Sequence, residues 1–174
     1  MRTIIAFVSV IALASACRPS PDAPKAGQLS VEWQGSHRGH FATAATARHC
    51  PETGLVELLA VQGDSGVGLA LFPADSGKLA TATFPIFAGS DLNEPRPGAT
   101  AAIRWFAGGD LAVFTGQTGR VTLAAPGATL SGRLEVRMQA VSGTDTLRVT
   151  GRFDGVPVTR SGAGCGRLSR RNLI

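Results

Sequence analysis

GRLEVRMQAV, Gly132 to Val141, and TLRVTGRFD, Thr146 to Asp154, are the stretches whose alternation decides the fold. In the first, Leu134, Val136, Met138 and Ala140 share one face, and Arg133, Glu135, Arg137 and Gln139 the other. In the second, Leu147, Val149, Gly151 and Phe153 fall together. Successive side chains of a strand point to opposite sides, so this period of two marks strands with one buried and one solvated face. With Ser142 to Asp145 as the loop, Val141 pairs with Thr146. That register sets Leu134 opposite Phe153, Met138 opposite Val149, Glu135 against Arg152 and Arg133 against Asp154. A slip of one residue would turn the apolar side chains to water, so the choice of face is strongly specified.

The same alternation, between turn signals, recurs towards the N-terminus. It predicts strands over Leu29 to Gln34, His40 to His49, Leu55 to Val61, Val67 to Phe72, Leu79 to Phe87, Thr100 to Phe106, Leu111 to Thr115 and Arg120 to Ala124. The C-terminal pair is then Leu130 to Val141 and Thr146 to Asp154. No sustained helical stripe is present. The expectation is an all-β domain over residues 28–165, an antiparallel β-sandwich of immunoglobulin-like or related type. A closed β-barrel, with room for a lipophilic cavity, is the second architecture. Leu55 to Val61 is apolar on both faces through Leu58, Leu59, Ala60 and Val61, which predicts a central strand or one that meets a ligand or partner.

Ahead of this domain, Arg2, the apolar run Ile4 to Leu13 and the small residues Ala14, Ser15 and Ala16 make a secretory signal peptide over residues 1–16. The ten-residue run is too short to span a bilayer, which takes about 20 apolar residues. Leu13-Ala14-Ser15-Ala16-Cys17 resembles the lipobox of bacterial lipoprotein precursors, with the leucine one place further from the cysteine than usual. The resemblance implies that Cys17 carries lipid, such as palmitate, and becomes the first residue. It implies attachment to a bacterial cell-envelope membrane. Arg18, rather than Asp, after the cysteine points to the outer rather than the inner membrane. Residues 17–27, with three prolines in RPSPDAPKAG, then form an extended tether.

Of three cysteines, lipid on Cys17 leaves Cys50 and Cys165 as an even pair, expected to be disulfide-bonded in an oxidising compartment. Closing a loop of roughly 115 residues would contribute on the order of 4 to 5 kcal/mol in the chain-entropy model.

The net charge of +5 suggests nucleic acid until it is located. From Cys17 to Thr159, 12 Lys and Arg balance 12 Asp and Glu. The excess comes from Arg2 in the signal peptide and from Arg160, Arg167, Arg170 and Arg171, the last three in a basic tail over residues 166–174. A solvated chain end is the ordinary meaning of such a tail. No basic face with interleaved aromatics is present, so no nucleic acid is expected.

Catalytic signals are weak. Thr46 to Cys50 and Gly63 to Gly66 superficially resemble the histidine and serine motifs of chymotrypsin-like proteases, but 16 positions separate His49 from Ser65, and Gly63 to Gly66 already makes a hairpin turn. His37, His40 and His49 with Cys50 lack metal-ligand spacing, so neither metal nor cofactor is expected. Ala88 to Ala99 (AGSDLNEPRPGA) is the irregular segment in which a recognition loop would lie, with Asp91, Glu94 and Arg96 as candidates. Tyrosine is absent, which weakens a carbohydrate surface. The expectation is a non-enzymatic binding or structural domain that meets the membrane through its lipid and another envelope protein through its surface. The alternative is a carrier of a lipophilic small molecule, and the third reading a hydrolase with a site drawn from distant residues.

Overall fold

The computed structural model of the protein describes residues 25–74, 82–88, 96–107, 109–124 and 127–160. Among them run β1 (Gln28–Gly35), β2 (Gly39–His49), β3 (Val56–Gln62), β4 (Ser65–Phe72), β5 (Thr83–Pro85), β6 (Gly98–Ala107), β7 (Asp110–Leu123), β8 (Thr129–Ala140) and β9 (Thr146–Arg160). Except for the short β5, each strand is antiparallel to the next, in the order β1-β2-β3-β4-β6-β7-β8-β9. β9 then pairs back onto β1, from Gln28↔Asp154 to Gly35↔Leu147. The sheet is a closed, eight-stranded antiparallel barrel.

This closure overturns the sandwich and leaves the second expectation, the barrel, in its place. Alternation reports which side of a strand is buried. It does not report whether the buried side faces a second sheet or the far wall of its own. Two local devices complete the wall. The lower half of β7 leaves β6, and β5 fills the gap through Thr83↔Thr122 to Pro85↔Arg120. Where the chain enters at Gly27, β9 reaches past β1 to pair in parallel with β2 through Ala47↔Val158 to His49↔Arg160.

The β8–β9 hairpin keeps the expected faces but not the expected register. Met138 pairs with Leu147, Val136 with Val149, and Gly132 with Phe153, a slip of two residues from the sequence reading. The cause is the loop. Ala140 N–H donates to Asp145 O at 2.9 Å, while Val141 leaves β9 and donates to Val113 O on β7. The expected charge pairs are therefore replaced: Glu135 faces Thr150, Arg133 faces Arg152, and Glu135 takes its ion pair from Arg120 of β7 at 2.7 Å.

Two of the expected strands are one. Leu111 to Thr115 and Arg120 to Ala124 merge into β7 across a bulge between Gly116 and Thr118. The glycines there serve close packing rather than a turn. At Gly119, with φ +128°, a Cβ would lie 2.1 Å from Glu135 O. Of the expected strand Leu79 to Phe87, residues 79–81 lie outside the described residues, and Thr83–Pro85 is a strand.

The inward faces meet in one apolar cluster that includes Leu29, Leu58, Leu69, Phe84, Leu134, Met138 and Phe153. An eight-stranded barrel is just wide enough for side chains to fill it. The outer faces of β8 and β9 carry Arg133, Glu135, Arg137, Arg148 and Asp154, all exposed. A membrane-spanning barrel has the reverse arrangement, apolar outside and polar within.

Candidate functional site

The two ends of the barrel are built differently. At one end the β1–β2, β3–β4, β6–β7 and β8–β9 connections are short. At the other lie the entry into β1, the exit from β9, the short β7–β8 connection and the segments between β2 and β3, β4 and β5, and β5 and β6.

Aromatic rings gather at the short-turn end, called the mouth below. Trp33 comes from the end of β1, Trp105 from the end of β6 and Phe114 from β7. Trp105 stacks on Phe114 with centroids 5.3 Å apart and planes at 4°, and Trp33 lies 5.0 Å from Trp105. His37, in the β1–β2 turn, meets Trp105 and Phe114 edge-on and approaches Asp145 of the β8–β9 turn at 3.6 Å. Gly39 is what admits Trp33, because a Cβ there would lie 2.4 Å from the indole ring.

A cavity of about 200 Å³ opens beside this cluster. Phe41, Ile103, Trp105 and Phe106 form its apolar wall, and Trp33, His40, Ser65 and Arg104 supply polar groups. Trp33 is 7% exposed, and its Nε1–H is buried without an acceptor. Buried donors are nearly always paired, so an unpaired one costs free energy, here at an atom closed off from solvent on the edge of the ring that faces Gly39. Arg104 forms no ion pair among the described residues.

Outside the cavity the rim is apolar. Among the described residues, the exposed large apolar side chains are Leu59, Val61, Phe106, Leu111 and Val141, at 38 to 57% exposure. They are neighbours: Phe106 pairs with Leu111, and Val61, Gly66, Arg104 and Val113 follow one another across four strands. Val141 adjoins Val113 through its backbone hydrogen bond. Leu59 and Val61 are the outer half of the strand that the sequence marked as apolar on both faces, with Leu58 and Ala60 in the core. A contiguous apolar patch of this kind is the ordinary mark of an interaction site.

The residues singled out from sequence lie elsewhere. Cys50 is buried with Leu55 and Phe72, packed against Ala70 and Phe87, at the end opposite the mouth. Cys17, Cys165, Asp91 and Glu94 lie outside the described residues. Arg96 donates to Thr53 O at 3.0 Å and covers the Phe72 ring at 6.0 Å, so its guanidinium supports the Cys50 cluster. The nearby Arg48–Glu57 ion pair on β2 and β3 is the more buried kind, with Glu57 at 7% side-chain exposure. His49 ends β2 and Ser65 begins β4, so the protease-like pair is split between the two ends of the barrel. His40 and His49 are separated in the same way.

Read as sequence, Trp33, Trp105 and the eight phenylalanines, Phe106 included, are core material, and nothing marks Leu111 or Arg104. The available signal was position: each lies within a few residues of a turn at the same end of the meander. The mouth offers apolar walls, a cation and unspent donors, and its lining contains no carboxylate for acid–base work. No protein-family model, no curated protein and no solved structure matches the chain.

Proposed function

We propose that the protein is a non-enzymatic binding domain of a bacterial cell envelope, held to the membrane by lipid on Cys17 and binding through the aromatic mouth of its barrel. The observation that carries this reading is the coincidence, at one end, of a cavity, an unpaired buried indole N–H and a contiguous apolar rim.

The tether fits the same picture. It enters β1 from the end opposite the mouth through a turn in which Gln28 N–H donates to Lys25 O, and residues 17–24 as an extended chain would reach about 25 Å at roughly 3.1 Å per residue. An anchored barrel would thus present its mouth away from the bilayer, towards soluble ligands or partners of the envelope space. A Cys50–Cys165 disulfide, fastening the chain beyond β9 at the anchored end, belongs to this proposal. So does residence in the outer membrane.

Carriage of a long-chain lipid is less well supported. The inward faces form one packed apolar cluster, and the mouth cavity is smaller than the roughly 300–1,000 Å³ of drug-sized sites. A compact ligand suits it better.

Comparison of natively purified protein with the same protein unfolded, stripped and refolded tests the reading. The indole N–H signals of Trp33 and Trp105 are expected to differ between the two preparations, while the amides of β8 and β9 stay in place. Unchanged indoles with altered signals around Cys50 and Arg96 would move the binding site to the other end.

A further inference from the structure

We infer that the mouth recognises a small aromatic or apolar carboxylate, with the acid group held by Arg104 and the body of the molecule against Phe41, Ile103, Trp105 and Phe106. This rests on the reading of the mouth as the binding end and specifies what it binds.

Charge and donor count carry the inference. The polar groups around the cavity are Arg104, His40, Ser65 and the Trp33 indole. Guanidinium and indole N–H are donors only, and the serine hydroxyl and imidazole can also donate. Arg104 is unspent, since it has no carboxylate among the described residues, whereas the unpaired Trp33 Nε1–H is closed off from solvent. Asp64, beside Ser65 in the β3–β4 turn, is exposed and does not pair with Arg104. A site with surplus donors and one cation is complementary to an anion with several acceptor lone pairs, and a carboxylate–guanidinium contact is among the stronger hydrogen-bonded pairs.

The remaining wall decides what the anion is attached to. Inorganic anions are fully hydrated and gain nothing from Phe41, Ile103 and Phe106, whereas a ring or short branched chain buries apolar area there. The cavity of about 200 Å³ limits that body to a compact group. Gly66 leaves room for this side chain: the Arg104 Nε lies 3.9 Å from where its Cβ would stand, on the same outer face as Val61.

Phenylacetate is a suitable probe, with 2-phenylethanol as its uncharged counterpart. Each is titrated into the full chain in lipid nanodiscs, and the two indole N–H signals are followed. Phenylacetate is expected to shift the Trp33 signal saturably, and 2-phenylethanol to bind at least about tenfold more weakly, the equivalent of one charge-assisted contact. Arg104→Gln is expected to abolish that difference while the backbone spectrum stays dispersed. Equal binding of the two probes, or unchanged phenylacetate affinity in Arg104→Gln, overturns the carboxylate and leaves the mouth as the binding end. Silence of both indoles towards both probes overturns the ligand class, and the native-versus-refolded comparison then decides whether the mouth reading falls with it.

Discussion

The two ends of this barrel spend their aromatic and charged residues in opposite ways. Away from the mouth, Phe153 is buried at 1% exposure, Arg48 pairs with Glu57, and Arg96 caps Phe72 beside Cys50. These groups are partnered within the chain, although the buried His49 Nε2 at the end of β2 has no hydrogen-bond partner among the described residues. At the mouth, Phe106 and Leu111 are about half exposed, Arg104 has no counter-ion among the described residues, and the Trp33 N–H has no acceptor. One end buries its aromatic rings and pairs these charges within the chain, and the other leaves an apolar rim and a cation open. The comparison teaches where the fold has been optimised for itself and where for something else.

Substitutions can break that division. Phe153→Ala at the satisfied end is expected to cost about 3 to 5 kcal/mol by opening a cavity in the core. Urea unfolding should show this loss with ligand affinity intact in the folded fraction. Next comes the seam that closes the wall. Gly119→Ala forces a Cβ against Glu135 O at positive φ and is expected to cost about 3 kcal/mol. Gly143→Ala, also at positive φ but with open space around it, should cost nearer to 1 kcal/mol. Equal losses at the two glycines would mean that backbone conformation, and not the β7–β8 approach, is what Gly119 provides.

Ion pairs give a smaller contrast. Glu57→Gln, which leaves Arg48 beside a neutral partner, is expected to lower stability by about 2 kcal/mol. Glu135→Gln, at 61% side-chain exposure, should lower it by less than about 1 kcal/mol. The smallest effect on stability belongs to the mouth. Phe106→Asp is expected to change unfolding free energy by under about 0.5 kcal/mol, as surface substitutions usually do, and to lose binding. A large destabilisation by Phe106→Asp would show that the rim is part of the core and remove its claim to be a working surface.

Much of the fold was legible in the sequence, because period two fixes which side chains go inside. Leu134, Val136, Met138, Leu147, Val149 and Phe153 are all buried, as their alternation predicts. Closure was not legible. It depends on β9 meeting β1 and β7 meeting β8, and those contacts leave no local mark. The two-residue slip in β8–β9 was equally hidden, because a slip of two preserves faces and only the loop bonds of Ala140 and Val141 decide it. Gly116 and Gly119 misled for a physical reason: a glycine needed for close approach and one needed for a turn look the same in sequence.

The candidate site was less legible still. Trp33 and Trp105 were identifiable as apolar, but their convergence depends on which strand ends face the same way. Only the outer apolar face of Leu59 and Val61 was visible beforehand, from a strand apolar on both sides. Arg104 carried no signal, since what distinguishes it from the other unpaired arginines is its place beside the cavity in the folded wall.

The claim that binding belongs to the mouth is tested most directly by native mass spectrometry of the full chain purified from an envelope fraction, as wild type, Phe106→Asp and Arg96→Ala. The account predicts a bound species on the wild type and on Arg96→Ala that is missing from Phe106→Asp. A species retained by Phe106→Asp and lost from Arg96→Ala would contradict it and assign binding to the end opposite the mouth.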